Sequence, residues 1–290
     1  MTQLIGTQSS MIKSAPALSS RMLGAKVIIA TRLIGNSSSP TLRSVAVSAT
    51  ASPQPPTSFV FNPAGYVKYA AAIPSQVTFM TVALWGLQQL NEAVIMGGSI
   101  PLPAGLPPQD ACKGIVILFF LVVSIKSRIF SPLDASRPNV KGEKEAISQR
   151  KRPSWMPPPL TFPLVWTTIG LLRATSSVMV WEACGRDLLS LPLITMMLHL
   201  AIGDAWNHCN NVEQNLGMAV PGVVLGCLGS GIFVTASYFM VDKTAGMVLS
   251  PMCLWLTIAS ALVYSIWCIN PREDGQKQPL FPVREANSLL

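Results

Sequence analysis

Residues Leu216–Val241 read LGMAVPGVVLGCLGSGIFVTASYFMV, and no charged side chain interrupts this stretch. A second uncharged stretch begins shortly after it and runs from Thr244 to Pro271. A helix that crosses a bilayer needs about 20 mostly apolar residues. Both stretches therefore predict transmembrane helices, and they place the chain among membrane proteins.

The composition of the whole chain agrees with this class. Of the 290 residues, 50% are hydrophobic and only 12% are charged, whereas soluble domains carry about 25% charged residues. The mean hydropathy is +0.44. The net charge of +8 does not indicate a nucleic-acid partner, because the basic residues lie in a leader and in the loops between apolar runs.

Working outward from the two clean stretches gives six candidate spans. They are residues 75–96, 111–130, 162–181, 188–207, 217–240 and 246–269. Proline and glycine inside them do not exclude helices in lipid. The expected fold class is an all-α polytopic membrane helix bundle.

The distribution of lysine and arginine predicts the topology. With six spans, the N-terminus, the 131–161 loop, the 208–216 loop and the C-terminal tail share one side. That side carries twelve Lys and Arg residues against three on the other, leaving out the leader and Arg173. This consistent bias supports the count of six spans.

The leader, residues 1–58, has the composition of a targeting segment. It contains five basic side chains and no acidic one, and it is rich in Ser and Thr. Such composition is typical of organellar transit peptides; an uncleaved disordered tail is the alternative. The Ser and Thr content favours a chloroplast membrane over a mitochondrial one. Residues 59–110 form an N-terminal extension with one span, and residues 271–290 a polar C-terminal tail.

No sequence signature of conventional catalysis is found. The chain has no Walker loop, no GxGxxG and no HExxH. None of its six cysteines forms a CxxC pair, and most fall in apolar runs, which is typical of small buried residues rather than ligands or disulfides. The sequence therefore favours a binding protein over an enzyme.

Three strings carry a resemblance to a known family. Lys151–Pro158 reads KRPSWMPP, Phe162–Thr167 reads FPLVWT, and Val241–Gly246 reads VDKTAG. The third string is followed by six further matching positions, namely Pro251, Trp255, Ala259, Leu262, Trp267 and Asn270. In order and spacing they resemble the TspO/MBR family (tryptophan-rich sensory protein, translocator protein). The stretches Gly203–Asn207 and Asn210–Glu213 suggest a divergent, plastid-type branch of that family.

The resemblance implies a five-helix membrane domain over residues 111–270, with the span at 75–96 as an extra N-terminal transmembrane helix. It also has departures. Gly170, Gly203, Met252 and Val263 stand where the family has Tyr, Asn, Tyr and Asn. Because these positions lie near the family's ligand cavity, the identity of the ligand does not carry over with the fold.

Tryptophans inside the spans are the first candidate site residues. Trp166 and Trp255 lie one to three turns into their predicted helices, and Ala259 shares a helix face with Trp255 because it is four residues away. The resemblance implies that these residues, with Trp206, line a pocket for porphyrins and similar polycyclic ligands. Helix packing is the alternative role.

Ionisable residues inside the spans are the second set of candidates. Arg173, His199 and Asp204 would each be costly in lipid unless paired or hydrated. One interpretation is a structural Arg173–Asp204 pair between two helices; the other is a polar lining for ligand carboxylates or a metal centre. His199 is a candidate axial ligand of haem, with a hydrogen-bonded packing residue as the alternative.

Three functions follow from the sequence. The first is a membrane protein that binds tetrapyrroles, such as haem or protoporphyrin, or related sterols and lipids, for sensing, sequestration or transport. The second is an assembly factor that docks other membrane proteins, and the third is light-dependent porphyrin degradation. No cofactor is required and no nucleic acid is involved; membrane lipids are partners, and a homodimer is expected by resemblance.

Overall fold

The computed structural model describes residues 59–97, 107–133, 150–272 and 274–285. The predicted leader, residues 1–58, lies outside them. Six helical segments follow one another in the described ranges, each containing most or all of one predicted span. They are α1 Pro63–Gly97, α2 Pro108–Lys126, α3 Thr161–Ala183, α4 Leu191–Asn207, α5 Leu216–Val241 and α6 Lys243–Ile269.

Four of these segments, α1, α3, α5 and α6, are long and apolar enough to cross a membrane. The other two, α2 and α4, are 19 and 17 residues long and pack within the same bundle. The all-α membrane bundle is thus confirmed.

A proline inside α5 and an aspartate just before α6 explain the local geometry of these two helices. The middle of α5, Gly222–Leu228, is π-helical and directly follows Pro221. Proline lacks the amide hydrogen that an α-helix needs and crowds the preceding turn, so the helical register changes there. Asp242 caps the start of α6, since its carboxylate accepts hydrogen bonds from the amides of Thr244 (2.7 Å) and Ala245 (3.2 Å).

Helix α1 is an integral part of the bundle. It packs mainly on α4 and also on α2, and its Met80 and Leu84 are fully buried. It begins twelve positions before the predicted span, because Lys68 is held by a polar partner and Pro74 is accommodated inside the helix. Elsewhere α2 packs on α3, α4 on α5, and α3 on the first part of α6.

Contacts between distant segments identify one side of the bundle. The strand β1, Phe59–Phe61, pairs antiparallel with β2, Val283–Glu285. The Lys68 ammonium lies 2.7 Å from the Glu213 carboxylate, and Asn270 exchanges hydrogen bonds of 2.8 and 2.9 Å with the backbone of Lys151. These contacts bring together the start of α1, the loop after α4 and the C-terminal tail.

The opposite side is marked by two other contacts. Lys113 pairs with Glu182 at 2.7 Å, and the Gln88 amide oxygen accepts a hydrogen bond of 3.1 Å from the Leu188 backbone. The two sides are those that the lysine and arginine bias predicts. The short β1–β2 pair is the one regular feature of the described residues that the all-α prediction does not include.

Candidate ligand-binding site

Two adjoining cavities lie between α2, α3, α4, α5 and α6. The inner cavity has a volume of about 350 Å³ and reaches Arg173, near the middle of α3. The outer cavity, of about 300 Å³, is bounded by residues 150–156 on the basic side. Both are lined by Trp166, Trp206, Asn207 and Ala259.

All seven residues predicted as site residues line one or both of these cavities. Trp166, Trp206 and Ala259 line both; Arg173, His199 and Asp204 line the inner cavity; and Trp255 lines the outer one. The structure thus brings together side chains that are far apart in the sequence. Their role in binding a ligand stays a prediction.

Tryptophan side chains form the apolar walls. Trp166 is 38% exposed, which leaves part of its ring available to a ligand. Trp206 is fixed by a hydrogen bond of 3.0 Å from its Nε1 to the Ala219 carbonyl oxygen. Trp255 meets Phe162 edge to face, with ring centroids 5.9 Å apart. Such pairs orient aromatic rings and hold the wall rigid.

The indole nitrogen of Trp255 has no hydrogen-bond partner among the described residues, although it is buried. Buried donors in native proteins are nearly always satisfied, so an unpaired one needs an explanation. Trp255 lines the outer cavity, but its Nε1 has almost no accessible surface, so this donor is not presented to a ligand in the cavity.

Arg173 is a buried cation with neutral partners. Its Nη2 donates to His199 Nε2 at 2.8 Å, and its Nε donates to the sulfur of Met252 at 3.2 Å. Within the part of the chain that the structure describes, no carboxylate forms a salt bridge with the guanidinium. Arg173 is only 8% exposed, so bulk water hardly solvates its charge, and Asp204 attracts it only from a distance, without a direct contact.

Asp204 is paired elsewhere, which corrects the predicted Arg173–Asp204 ion pair. Its Oδ2 accepts a hydrogen bond of 2.7 Å from Gln76 Nε2, and its Oδ1 lies 3.5 Å from Arg128 Nε. Neither partner lies in α3 or α4, the two helices that the predicted ion pair would join. Gln76 lies in α1, and Arg128 follows the end of α2.

Both ring nitrogens of His199 are engaged in hydrogen bonds. Because a guanidinium only donates, Nε2 accepts from Arg173 and Nδ1 carries the hydrogen. Nδ1 then donates to Ser230 Oγ at 2.8 Å, and Ser230 donates to the Cys227 carbonyl at 3.2 Å. An axial bond from His199 to haem iron would require Nε2 to leave Arg173, and we do not assign His199 that role.

Cations and amides surround the mouth of the outer cavity. Arg150, Lys151 and Arg152 line it together with Asn210 and Asn211. Arg150 Nη2 donates to the Gln214 carbonyl at 2.9 Å, and burial lowers the pKa of Arg150 below its usual value. An arginine remains charged despite such a shift, so this mouth is electropositive.

Comparison with known proteins decides the family. The model of the TspO/MBR family matches residues 115–268, which is just over half of the chain. The chain belongs to the TspO/MBR family. This confirms the resemblance carried by the sequence strings.

Similar TspO/MBR proteins come from distant organisms. Protein CrtK of Rhodobacter capsulatus is 32% identical over 125 residues, 42% of this chain and 77% of that protein. The translocator protein of Sus scrofa is 28% identical over 131 residues, 44% of this chain and 77% of that protein. The tryptophan-rich protein TspO of Bacillus cereus is 22% identical over 160 residues, 54% of this chain and 97% of that protein.

Family membership establishes the general character of the protein. It is a multi-pass membrane protein of a family that binds hydrophobic ligands. Helix α1 lies entirely before the residues matched by the TspO/MBR model. The extra helix is therefore an addition to the family domain, and it supplies Gln76, a site partner that the sequence strings do not reveal.

Proposed function

We propose that the protein binds an acidic, flat, hydrophobic molecule of the tetrapyrrole class, with a ligand carboxylate at Arg173, and thereby senses, sequesters or transports it. The observation that carries this proposal is Arg173 itself, a buried guanidinium without a salt-bridge partner among the described residues, on the wall of a tryptophan-lined cavity.

The charge of Arg173 favours an anionic group on the ligand. A buried unpaired cation is costly in a membrane protein, and such residues commonly mark a binding path or a partner. Guanidinium and carboxylate groups form strong charge-assisted hydrogen bonds, often two at once. A ligand carboxylate would supply the direct ion pair that the neutral partners His199 and Met252 do not provide.

The size and the walls of the site suit a large aromatic molecule. Small-molecule sites typically have volumes of ~300–1,000 Å³, and the two adjoining cavities together fall well inside this range. Trp166 and Trp206 line both of them, so one extended ligand could occupy both. Stacking on an aromatic wall contributes about 0.5–1.5 kcal/mol beyond the burial of area.

A titration of the detergent-solubilised protein with protoporphyrin IX and with haem tests this function. Tryptophan quenching would be followed in the wild type and in the variants Trp166→Phe, Trp255→Phe and Arg173→Leu. We expect saturable binding, weakened in all three variants. Trp85→Phe is the matched control, because Trp85 is 54% exposed on α1 and lines neither cavity.

Two results would count against the proposal. One is a folded wild type that shows no saturable quenching with either ligand. The other is a Trp85→Phe variant that weakens binding as much as Trp166→Phe. Haem and protoporphyrin enter this proposal as ligands and not as cofactors.

The composition of the leader, residues 1–58, supports a chloroplast membrane as the location, with the basic side facing the stroma. A fusion of this leader to a fluorescent protein tests this part of the proposal. Import of the fusion into plastids would agree with it, and import into mitochondria alone would overturn it.

A further inference from the structure

We propose that Gln76 determines the specificity of the inner cavity for acidic ligands, because it holds the Asp204 carboxylate away from Arg173. This inference rests on the proposed function. It concerns helix α1, which the family model does not cover.

Gln76 is a buried amide that makes two hydrogen bonds. The residue is 1% exposed, and its Nε2 donates to Asp204 Oδ2 at 2.7 Å and to the Ser127 carbonyl oxygen at 3.1 Å. A polar group buried in a membrane helix is costly unless it is hydrogen-bonded. Here the two bonds tie α1 to α4 and to the end of α2.

Asp204 would otherwise compete with the ligand for Arg173. Both side chains line the inner cavity. Asp204 lies five positions after His199, about 7.5 Å along the helix axis, and Arg173 already contacts His199. A carboxylate released into this cavity would be drawn to the guanidinium, and the resulting pair would remove the positive site and repel an acidic ligand.

The other groups that hold Asp204 come from the end of α2. Arg128 lies 3.5 Å from Oδ1 and its side chain is 32% exposed, while the side chain of Ser127 lies beside the carboxylate. The 2.7 Å bond from Gln76 is shorter than the Arg128 contact, and it comes from α1. Its removal frees Oδ2 from the bond that ties Asp204 to α1.

The test compares protoporphyrin IX with its dimethyl ester, which has the same ring and no carboxylate. Dissociation constants would be measured by tryptophan quenching for the wild type and for Gln76→Leu. We expect the wild type to bind the acid at least tenfold more tightly than the ester. In Gln76→Leu the affinity for the acid should fall at least tenfold, and the affinity for the ester should stay within threefold.

Two further variants separate positioning from folding. In the double variant Gln76→Leu with Asp204→Asn, the competing charge is gone, so preference for the acid should return. Asp204→Asn alone should bind the acid at least as tightly as the wild type. This variant leaves α1 unchanged, so its result does not depend on how α1 folds. Gln88→Leu is the matched control, since Gln88 also ties α1 to the bundle, on the opposite side.

The outcomes distinguish the two proposals. Equal affinity of the wild type for acid and ester, or no binding of either, would overturn both. A wild-type preference for the acid that Gln76→Leu leaves intact would overturn the role of Gln76 alone. An equal loss of acid and ester binding in Gln76→Leu would also overturn the role of Gln76. The same holds if the double variant Gln76→Leu with Asp204→Asn does not regain the preference for the acid.

Discussion

Gly203 offers a way to fill the inner cavity without disturbing the helices around it. It lies in α4 and lines this cavity, and a Cβ added to it would meet no heavy atom within 4 Å. The substitution Gly203→Leu therefore places an apolar side chain in space that a ligand would otherwise occupy. The substitution should leave the protein at least as stable as the wild type and should weaken its binding of the ligand.

The magnitudes follow from these local surroundings. Glycine inside a helix costs about 0.5–1 kcal/mol relative to alanine, so the variant should be at least as stable as the wild type. A ligand forced against the added side chain loses about 1–3 kcal/mol, as in overpacked cores. At about 1.4 kcal/mol for each factor of ten, the dissociation constant should rise about 5- to 150-fold.

Unfolding of the variant in mixed micelles and titration with protoporphyrin IX would measure both quantities. Gly86→Leu is the matched control: Gly86 lies in α1, its added Cβ also meets nothing within 4 Å, and it lines neither cavity. Wild-type affinity in a stable Gly203→Leu protein would refute the reasoning, because a ligand that tolerates this side chain is not bound in the inner cavity.

Two contacts on the basic side lead to further predictions. A Cβ at Gly217 would overlap the carbonyl oxygen of Pro279, so Gly217→Val should release the C-terminal tail and speed its cleavage by trypsin. Gly114→Val is the control, because a Cβ at Gly114 meets nothing within 4 Å. Equal rates of tail cleavage in the two variants would contradict the packing of the tail on Gly217. Burial alone would raise the pKa of Glu213. The hydrogen bonds from Lys68 and Tyr69 and the positive charge of Lys68 outweigh burial, so the pKa is lowered overall. The stabilisation by Glu213 is therefore present above its ordinary pKa near 4.5 and lost as the pH falls through the lowered value. Amide exchange at the start of α1 should rise in that window in the wild type and stay unchanged in Glu213→Gln.

The sequence predicts the helices best where charge is absent. The spans at 217–240 and 246–269 agree with α5 and α6 within a few positions, because long uncharged runs have few other structures available in a membrane. The predicted start of α1 is too late, because Lys68 has the character of a boundary residue. Its ammonium is instead bound by Glu213, which follows α4 and is distant from Lys68 in the sequence. No local sequence pattern shows this pairing.

The pairing of β1 with β2 is also beyond prediction from the sequence. Each strand has only three residues, too few for an alternating pattern to be recognised. The two strands lie at opposite ends of the described chain, so neither has a hairpin signal next to it.

The walls of the candidate site are more predictable than its polar contacts. Helical spacing and the family strings point to Trp166, Trp255 and Ala259, since these depend on local order. The partner of Asp204 is harder to find, because Gln76 reaches it from a helix that is distant in the sequence. A signal is present, however: a glutamine inside an apolar span requires a polar partner, and Asp204 in α4 is available to be that partner.

The pairing of Phe59 with Glu285 means that the ends of the described chain are neighbours, about 5 Å apart as in any antiparallel pair. A short linker could join them, and the chain could be reopened in the connection at residues 98–106. Helix α1 would then be the last helix of a circularly permuted protein rather than the first. The added helix is thus tied to the family domain by its contacts with α4 and α2, and the architecture does not require it to precede that domain in the sequence.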